Sequence, residues 1–228
     1  MWKENISPQQ VITPGEMICW SAKWHGTDEV AFSSVWNQRP NTMVKRLHNL
    51  LSEADVNVTY NGNKFDSPIV NAAFARLGLA PPAPSKSVDM YQIVRKEFKF
   101  LSNRMDFVAK ALGLEGKIET GGFELWVSVM NKDPEAQKLM EEYNIKDILV
   151  LEQMYERLLP WIRNHPSHAH YGNDGHVCPN CGGSHVQRRG THRTKVSTFQ
   201  RYQCTDCGSW SRSRVADKNA KKPEIVTL

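Results

Sequence analysis

The chain has 228 residues, of which 40% are hydrophobic and 23% charged, and its formal net charge is +5. That composition fits a globular protein of one domain plus a small appendage, and it excludes global disorder and a collagen-like repeat. No run of about 18 apolar residues occurs, so no membrane span is expected, and Met1–Gln10 lacks the basic-then-apolar pattern of a signal peptide. Charge is unevenly spread: residues 1–160 hold 18 Lys/Arg against 20 Asp/Glu, whereas residues 161–228 hold 11 against 4, a net of +7. A near-neutral body thus precedes a basic tail piece.

The body alternates strand and helix signals. Met17–Trp24 and Val30–Trp36 are aromatic and β-branched runs separated by His25-Gly26-Thr27-Asp28, which predicts a hairpin. Thr42–Ala54 carries Val44, Leu47, Leu50 and Leu51 at helical spacing. Asp55–Tyr60 alternates as a strand and is broken by Asn61-Gly62, and Ser67–Leu77 follows as a helix with Pro68 in its first turn. Ala80–Pro84 is loop by composition, and Val88–Lys96 reads as either a short strand or a helix. Asp106–Leu112 is a short helix closed by Gly113. Thr120–Met130 is harder to place. Pro134–Trp161 is the longest helix, opened by Asp133-Pro134. Asn164–His176 has the content of a linker, which divides the chain into a body (1–162), a linker (163–176), a ribbon (177–214) and a basic tail (215–228).

The tail carries the strongest motif. Cys178-Pro-Asn-Cys181 and Cys204-Thr-Asp-Cys207 are two C-x-x-C pairs separated by 22 residues, the spacing of a structural Zn²⁺ ribbon in a reducing compartment. Gly182-Gly183 and Gly208 sit where each knuckle must turn sharply. A redox pair is the competing reading. So small a module depends on metal for its folding energy. Between the knuckles stand Arg188, Arg189, Arg193, Lys195 and Arg201, with Phe199, Tyr202 and Trp210 interleaved. Positive charge beside exposed rings suits phosphate contact and base stacking, so nucleic acid is the expected partner, with a solvated basic face as the alternative. The six histidines from His165 to His192 read as linker and ribbon residues, with His176 the one that could replace a cysteine. Cys19, in an apolar strand, reads as a buried thiol.

Two carboxylates in the body stand out. Asp66 follows a strand and the Tyr60-Asn61-Gly62 turn at the mouth of a helix, where helix capping is its simplest use. Asp147 falls inside the apolar stripe of Leu139, Tyr143, Val150, Leu151, Met154 and Leu158, where a carboxylate needs a partner or a metal.

These residues carry a resemblance. Tyr60-Asn-Gly-Asn-Lys-Phe-Asp66 resembles the second motif, N-x-x-x-F-D, of DnaQ-like 3′–5′ exonucleases. It is most similar to the proofreading domains of family B DNA polymerases in the ribonuclease H-like superfamily. Tyr143-Asn-Ile-Lys-Asp147 resembles their third motif, Y-x-x-x-D, and Val88-Asp89-Met90 with Leu101–Lys110, ahead of Lys117, resembles the connecting segment. The resemblance covers residues 15–161. It implies an α/β fold with a mixed sheet flanked by helices, and hydrolysis of phosphodiesters by two Mg²⁺ or Mn²⁺ ions held by four carboxylates. Asp66 and Asp147 would be two of the four, Tyr143 would orient the attacking water, and Asn61 and Phe65 would meet the substrate.

The family's first motif, D-x-E on the opening strand, is missing. Asp133-Pro134-Glu135 opens a helix, and Asp28-Glu29 lies in a turn with the wrong spacing. The missing strand would pair with the hairpin on one side and with Val56–Tyr60 on the other, so open sheet edges are expected. The expectation is a 3′–5′ exonuclease-like protein acting on DNA, with little activity unless an upstream segment or a second chain completes the site. Its rivals are a nucleic-acid-binding protein without catalysis and an adaptor docking on a replication or transcription partner. A bacterial or phage-infected cytoplasm would suit any of these.

Overall fold

A computed structural model describes residues 15–116, 118, 122–171, 176–221 and 223–226. Met1–Gln10, Lys117 and the first residues of the Thr120–Met130 stretch lie outside the described residues, as do four of the linker. Two compact units form: Met1–Gln92 with Ser102–Glu152, and Ile93–Leu101 with Gln153–Leu228.

In the first unit the predicted hairpin is β1 (Cys19–Lys23) and β2 (Val30–Ser34), antiparallel with Ser21 opposite Phe32. Gly26 takes φ +78° in the connecting turn, where Thr27 donates back to the Trp24 carbonyl. Helix α1 (Pro40–Glu53) starts where Pro40 holds Arg39 extended, and it ends at Ala54. Its buried face, Met43, Val44 and Leu47, packs with Trp20 of β1 and with Ala73 and Phe74 of α2 (Asp66–Arg76). Trp20 is both anchor and donor, since its indole N–H reaches the Met43 carbonyl at 3.0 Å inside this cluster.

Strand β3 (Val56–Thr59) pairs in parallel with β4 (Lys86–Asp89), with Val58 opposite Val88 and Thr59 opposite Asp89. Helix α2 supplies the crossover a parallel pair requires. The ambiguous stretch at Val88 is both things in turn: β4 ends at Asp89 and α3 (Met90–Glu97) begins at the next residue. Helix α4 (Met105–Ala111) is followed by α5 (Phe123–Met130), whose start at Gly122 with φ +68° was not legible in the sequence. Helix α6 (Pro134–Leu158) opens as expected, with Asp133 Oδ1 accepting from the Glu135 N–H at 3.0 Å. Leu125 and Val129 of α5 pack with Ala136 and Met140 of α6. Met140 and Met154 are the deepest positions of α6, and the predicted stripe held Met154 but took half-buried Leu139 and omitted Met140.

The mixed α/β architecture is the expected one, with antiparallel and parallel strands flanked by helices and with the open edges that a missing opening strand implies. Two separate two-stranded sheets form, β1–β2 antiparallel and β3–β4 parallel, and no described strand bridges them. Helix α6 is tied to the hairpin instead. The Ser21 hydroxyl donates to the Asn144 carbonyl at 3.0 Å, and Lys23 forms an ion pair with Glu152. Cys19 is half-buried rather than fully so. Its Sγ accepts from Asn144 Nδ2 at 3.6 Å, and burial pushes its pKa up to about 12, which keeps it an inert thiol.

In the second unit Val94, Met154, Tyr155, Leu158, Leu159 and Ile162 are buried. The ribbon strands are β5 (Val186–Arg193), β6 (Thr198–Cys204) and β7 (Trp210–Ala216), ordered β5-β6-β7 and antiparallel throughout. His165 and His168 do more than span a gap. Tyr155 donates its hydroxyl to His165 Nε2 at 2.7 Å, because His165 Nδ1 is turned to the Pro166 carbonyl, and His168 stacks on the His165 ring. The His168 N–H also reaches the Pro179 carbonyl at 3.0 Å.

Asn180, inside the first knuckle, closes the end of α6. Its Nδ2 donates to the carbonyls of Leu159 and Ile162 at 3.0 and 3.1 Å, in the one-turn 3₁₀ segment Leu159–Trp161 and just beyond it. The Leu159 carbonyl also accepts from the Ile162 N–H at 3.1 Å, so Asn180 is its second donor, and both carbonyls lie at the helix end, where carbonyls lack i+4 partners. Asn180→Ala is expected to destabilise the full chain by roughly 1–3 kcal/mol, the cost of orphaning buried polar groups. Thermal or urea unfolding of purified protein measures that loss.

Candidate functional site

The turn after β3 is built around one buried carboxylate. Asp89 is 5% exposed and lies opposite Thr59 at the end of the parallel pair. Its Oδ1 accepts from the N–H groups of Asn61 at 2.8 Å and Tyr91 at 3.1 Å, and its Oδ2 accepts from Asn63 at 3.4 Å. Three backbone donors replace the water that the carboxylate loses on burial. Asn61 sits at φ +63°, a conformation that asparagine tolerates better than most residues, and its carbonyl accepts from Lys64 and Phe65. Gly62 is required for another reason. A Cβ there would lie 2.7 Å from the Cβ of Thr59.

This turn delivers Asp66 to the first position of α2. The cap position belongs to Phe65, and no side chain caps the helix, so the simple capping role does not hold for Asp66. Burial of its carboxyl group pushes its pKa up, and the nearby charge of Asp89 pushes the same way. The residue as a whole remains exposed, so only part of the carboxylate is shielded. Two acids therefore lie near the end of the parallel pair.

Beside the turn is an open cleft of about 640 Å³, lined by Tyr60, Asn61, Phe65, Tyr91 and residues 102–106. Tyr60 stands edge-on to Tyr91 with ring centroids 5.9 Å apart, and its hydroxyl donates to the Asn103 carbonyl at 2.7 Å. Burial drives the Tyr60 pKa well above its ordinary value, so the hydroxyl remains a donor. Phe65 is 60% exposed, and Asn61 Oδ1 is buried with no hydrogen-bond partner among the described residues. The two predicted substrate residues, Asn61 and Phe65, thus share one cleft. Asp66, Tyr143 and Asp147 are not among its lining residues.

Tyr143 packs against the α5–α6 cluster of Leu125, Val129, Ala136 and Met140. Asp147, one turn on, is half-buried, and its Oδ1 is shielded from solvent. Asp66, Asp89 and Asp147 do not form a group with all three carboxylate oxygens within 4.8 Å of one another. Asp89 itself was passed over in the sequence as connecting segment. The signal was an aspartate between Val88 and Met90, where a buried strand end gives way to a helix.

The four ribbon cysteines do converge, with all sulfurs within 4.8 Å of one another. Cys178 and Cys207 are 3.7 Å apart, as are Cys181 and Cys204. A tetrahedral ion with ~2.3 Å bonds to sulfur needs an S–S edge of about 3.8 Å, so the donor set fits a thiolate-bound metal. The separation is far beyond a disulfide's ~2.05 Å. Both knuckles use one pattern: Gly182 N–H to the Cys178 carbonyl, and Gly208 N–H to the Cys204 carbonyl. Both glycines have positive φ, and Gly183 N–H points at Cys181 Sγ at 3.4 Å. Burial pushes the Cys178 thiol up to about 11, whereas at Cys207 hydrogen bonds, chiefly with Ser209, outweigh burial and lower it. His176 is not in the group. It meets the Tyr202 ring edge-on.

The five predicted basic residues do not share one surface. Cross-strand register puts Arg201 on the face of β6 that also holds Phe199, while Arg188 and Arg193 pair with Tyr202 and Thr198 of the other face. Arg189 sits in the β5 bulge, and Lys195 in the β5–β6 turn.

The sequence model of the RNase H superfamily matches residues 17–159, more than half of the chain. The chain belongs to the RNase H superfamily. Among solved structures, this RNase H superfamily chain is similar to the family B DNA polymerase from the hyperthermophilic archaeon Pyrobaculum calidifontis. The two share 21% identity at a TM-score of 0.43, over 58% of this chain and 20% of the polymerase. The chain therefore spans about a fifth of that polymerase's length. Comparison with the curated proteins found no match. No described helix is long and apolar enough to cross a membrane.

Two expected outcomes test this geometry. Asp89→Ala strands three N–H groups and is expected to cost on the order of 3 kcal/mol, read by urea unfolding. Asp66→Asn is expected to raise the melting temperature at pH 7 in metal-free buffer. Because the folded-state pKa of Asp66 is raised, its charge costs stability above that pKa. The gain should therefore shrink as pH falls through the raised pKa and be gone below the ordinary carboxylate value of ~3.9.

Proposed function

We propose that this chain is a DnaQ-like, metal-dependent 3′–5′ exonuclease-type protein acting on nucleic acid, with a C-terminal zinc ribbon as a second grip. The supporting observation is that the superfamily match at residues 17–159 contains both resembling motifs, and that the turn between β3 and α2 places Asn61 and Phe65 in one cleft. The nuclease-type domain would occupy residues 1–162, the ribbon 177–214 and the basic tail 215–228.

In this reading Asp66 and Asp147 offer hard oxygen donors to Mg²⁺ or Mn²⁺. The donor chemistry fits, because Asp66 and Asp89 already repel each other and a cation would relieve them. Such ions stabilise the attacking and leaving oxygens of a phosphodiester. The chain's own residues do the rest: Asp89 holds the turn, Phe65 and Asn61 present the terminal nucleotide, and Tyr143 orients water. The ribbon cysteines hold Zn²⁺ as a structural ion.

A second reading, a nucleic-acid-binding protein without catalysis, is favoured by one observation: Asp66, Asp89 and Asp147 do not converge as a three-carboxylate group. The separated β1–β2 and β3–β4 sheets point to what would complete the site. A further strand bearing two acids, from this chain or from another, would join their edges.

With Mg²⁺ and a 5′-labelled single-stranded oligonucleotide, the 228-residue chain is expected to release 3′ nucleotides slowly, and Asp147→Ala to release none. Mn²⁺ should raise the melting temperature of the unaltered chain but not of Asp66→Asn or Asp147→Ala. A Mn²⁺ shift that survives both substitutions sinks the catalytic assignment. For the ribbon, Cys178→Ser is expected to abolish stoichiometric zinc, read by metal analysis of purified protein, because a three-thiolate site is incomplete.

A further inference from the structure

The three-stranded ribbon sheet has two chemically different faces. The pleat of β6 sets Phe199, Arg201 and Gln203 on one side and Thr198, Gln200, Tyr202 and Cys204 on the other, with a register shift against β7 between Phe199 and Arg201. Register carries the first set across the sheet: His192 pairs with Phe199, Arg212 with Arg201, and Trp210 with Gln203. Two guanidinium groups and two rings interleave there. Arg212 lies over the Phe199 ring at 4.1 Å from its centroid, and Arg201 over Trp210 at 4.9 Å.

These arginines are held, not loose. Arg201 Nε donates to the Arg189 carbonyl at 2.9 Å, where the β5 bulge, with Gly190 at φ +72°, turns that carbonyl toward it. Arg212 Nη1 donates to the Ser213 carbonyl at 3.1 Å. Each guanidinium keeps further N–H donors, and its position is already set against a ring, so little side-chain entropy remains to be lost on binding. Trp210 is still 53% exposed despite its arginine.

We infer that this face, and not the Arg188/Arg193 face, binds single-stranded nucleic acid by stacking bases on Trp210 and the arginine planes while Arg201 and Arg212 meet phosphates. The inference deepens the nucleic-acid reading of the ribbon and is independent of catalysis in the body. Charge complementarity supports the occupant, since residues 161–228 carry a net +7. Ring exposure selects the single strand. In a duplex the base faces are already stacked on one another, whereas a single strand presents them. An acidic peptide could satisfy the arginines but would leave the tryptophan face without a partner.

The test is fluorescence anisotropy of labelled dT20 with the full chain, in magnesium-free buffer so that the strand persists. Trp210→Ala should weaken binding roughly tenfold, and Trp210→Phe should weaken it less, because the phenyl ring still stacks. Arg212→Ala should lower the slope of log affinity against log salt by about one. Arg188→Ala/Arg193→Ala should cost less than Trp210→Ala, and a dT20·dA20 duplex should bind more weakly than dT20. The inference is overturned if the Arg188/Arg193 pair dominates, if duplex binds as tightly, or if polyglutamate displaces dT20 at equal charge concentration. A chain that digests single strands but is indifferent to Trp210→Ala would sink this inference and leave the exonuclease reading standing.

Discussion

Burying a carboxylate in a protein interior is unfavourable unless donors replace its water, and the end of the β3–β4 pair depends on how Asp89 meets that demand. The parallel register brings Asp89 beside Thr59, and the chain leaving β3 must then fold back so that Asn61 and Asn63 present their N–H groups to it. The left-handed Asn61 and the side-chain-free Gly62 follow from that fold-back. So does the position of Asp66 at the start of α2. Burial raises the Asp66 pKa, and the charge that organises the turn adds to that rise.

The ribbon repeats this logic with sulfur in place of oxygen. Four thiols are brought to the edge length of a tetrahedral ion by two knuckles of identical backbone pattern, each opened by a glycine at positive φ. Asn180 adds a link between the first knuckle and the end of α6, so order at the cysteines and order at the helix terminus are coupled within that unit. The sheet beyond the knuckles is where chemistry diverges, because a β5 bulge and the pleat sort basic and aromatic side chains onto two faces.

Membership of the RNase H superfamily rests on the match over residues 17–159, and the described strands show an antiparallel hairpin and a parallel pair that do not meet. Helix α6 is bound to the hairpin through Ser21, Cys19 and Lys23. That places Tyr143 against the α5–α6 core and Asp147 half-buried one turn later. A carboxylate thus lies on the apolar stripe of this helix with its Oδ1 shielded from solvent.

The sequence alone determined the elements whose cause is local. The hairpin, the apolar stripe of α1, the capped start of α6 and the C-x-x-C knuckles were legible because turn residues, periodicity, caps and ligand spacing act over a few positions, whereas the start of α1 at Pro40 was not. The strand–turn–helix order around Asn61 and Phe65 was legible too, and both residues line one cleft. Only tertiary structure decided that Asp89 anchors the turn, that Met140 outranks Leu139 in the α6 core, and that Arg201 parts company with Arg188 and Arg193. Each of these depends on which strands lie side by side and in what register, a long-range outcome that no local pattern encodes. The same is true of Asn180, whose carbonyl partners lie 18 and 21 residues away in the chain. Hydrogen-bond partners that distant are chosen by packing, not by spacing.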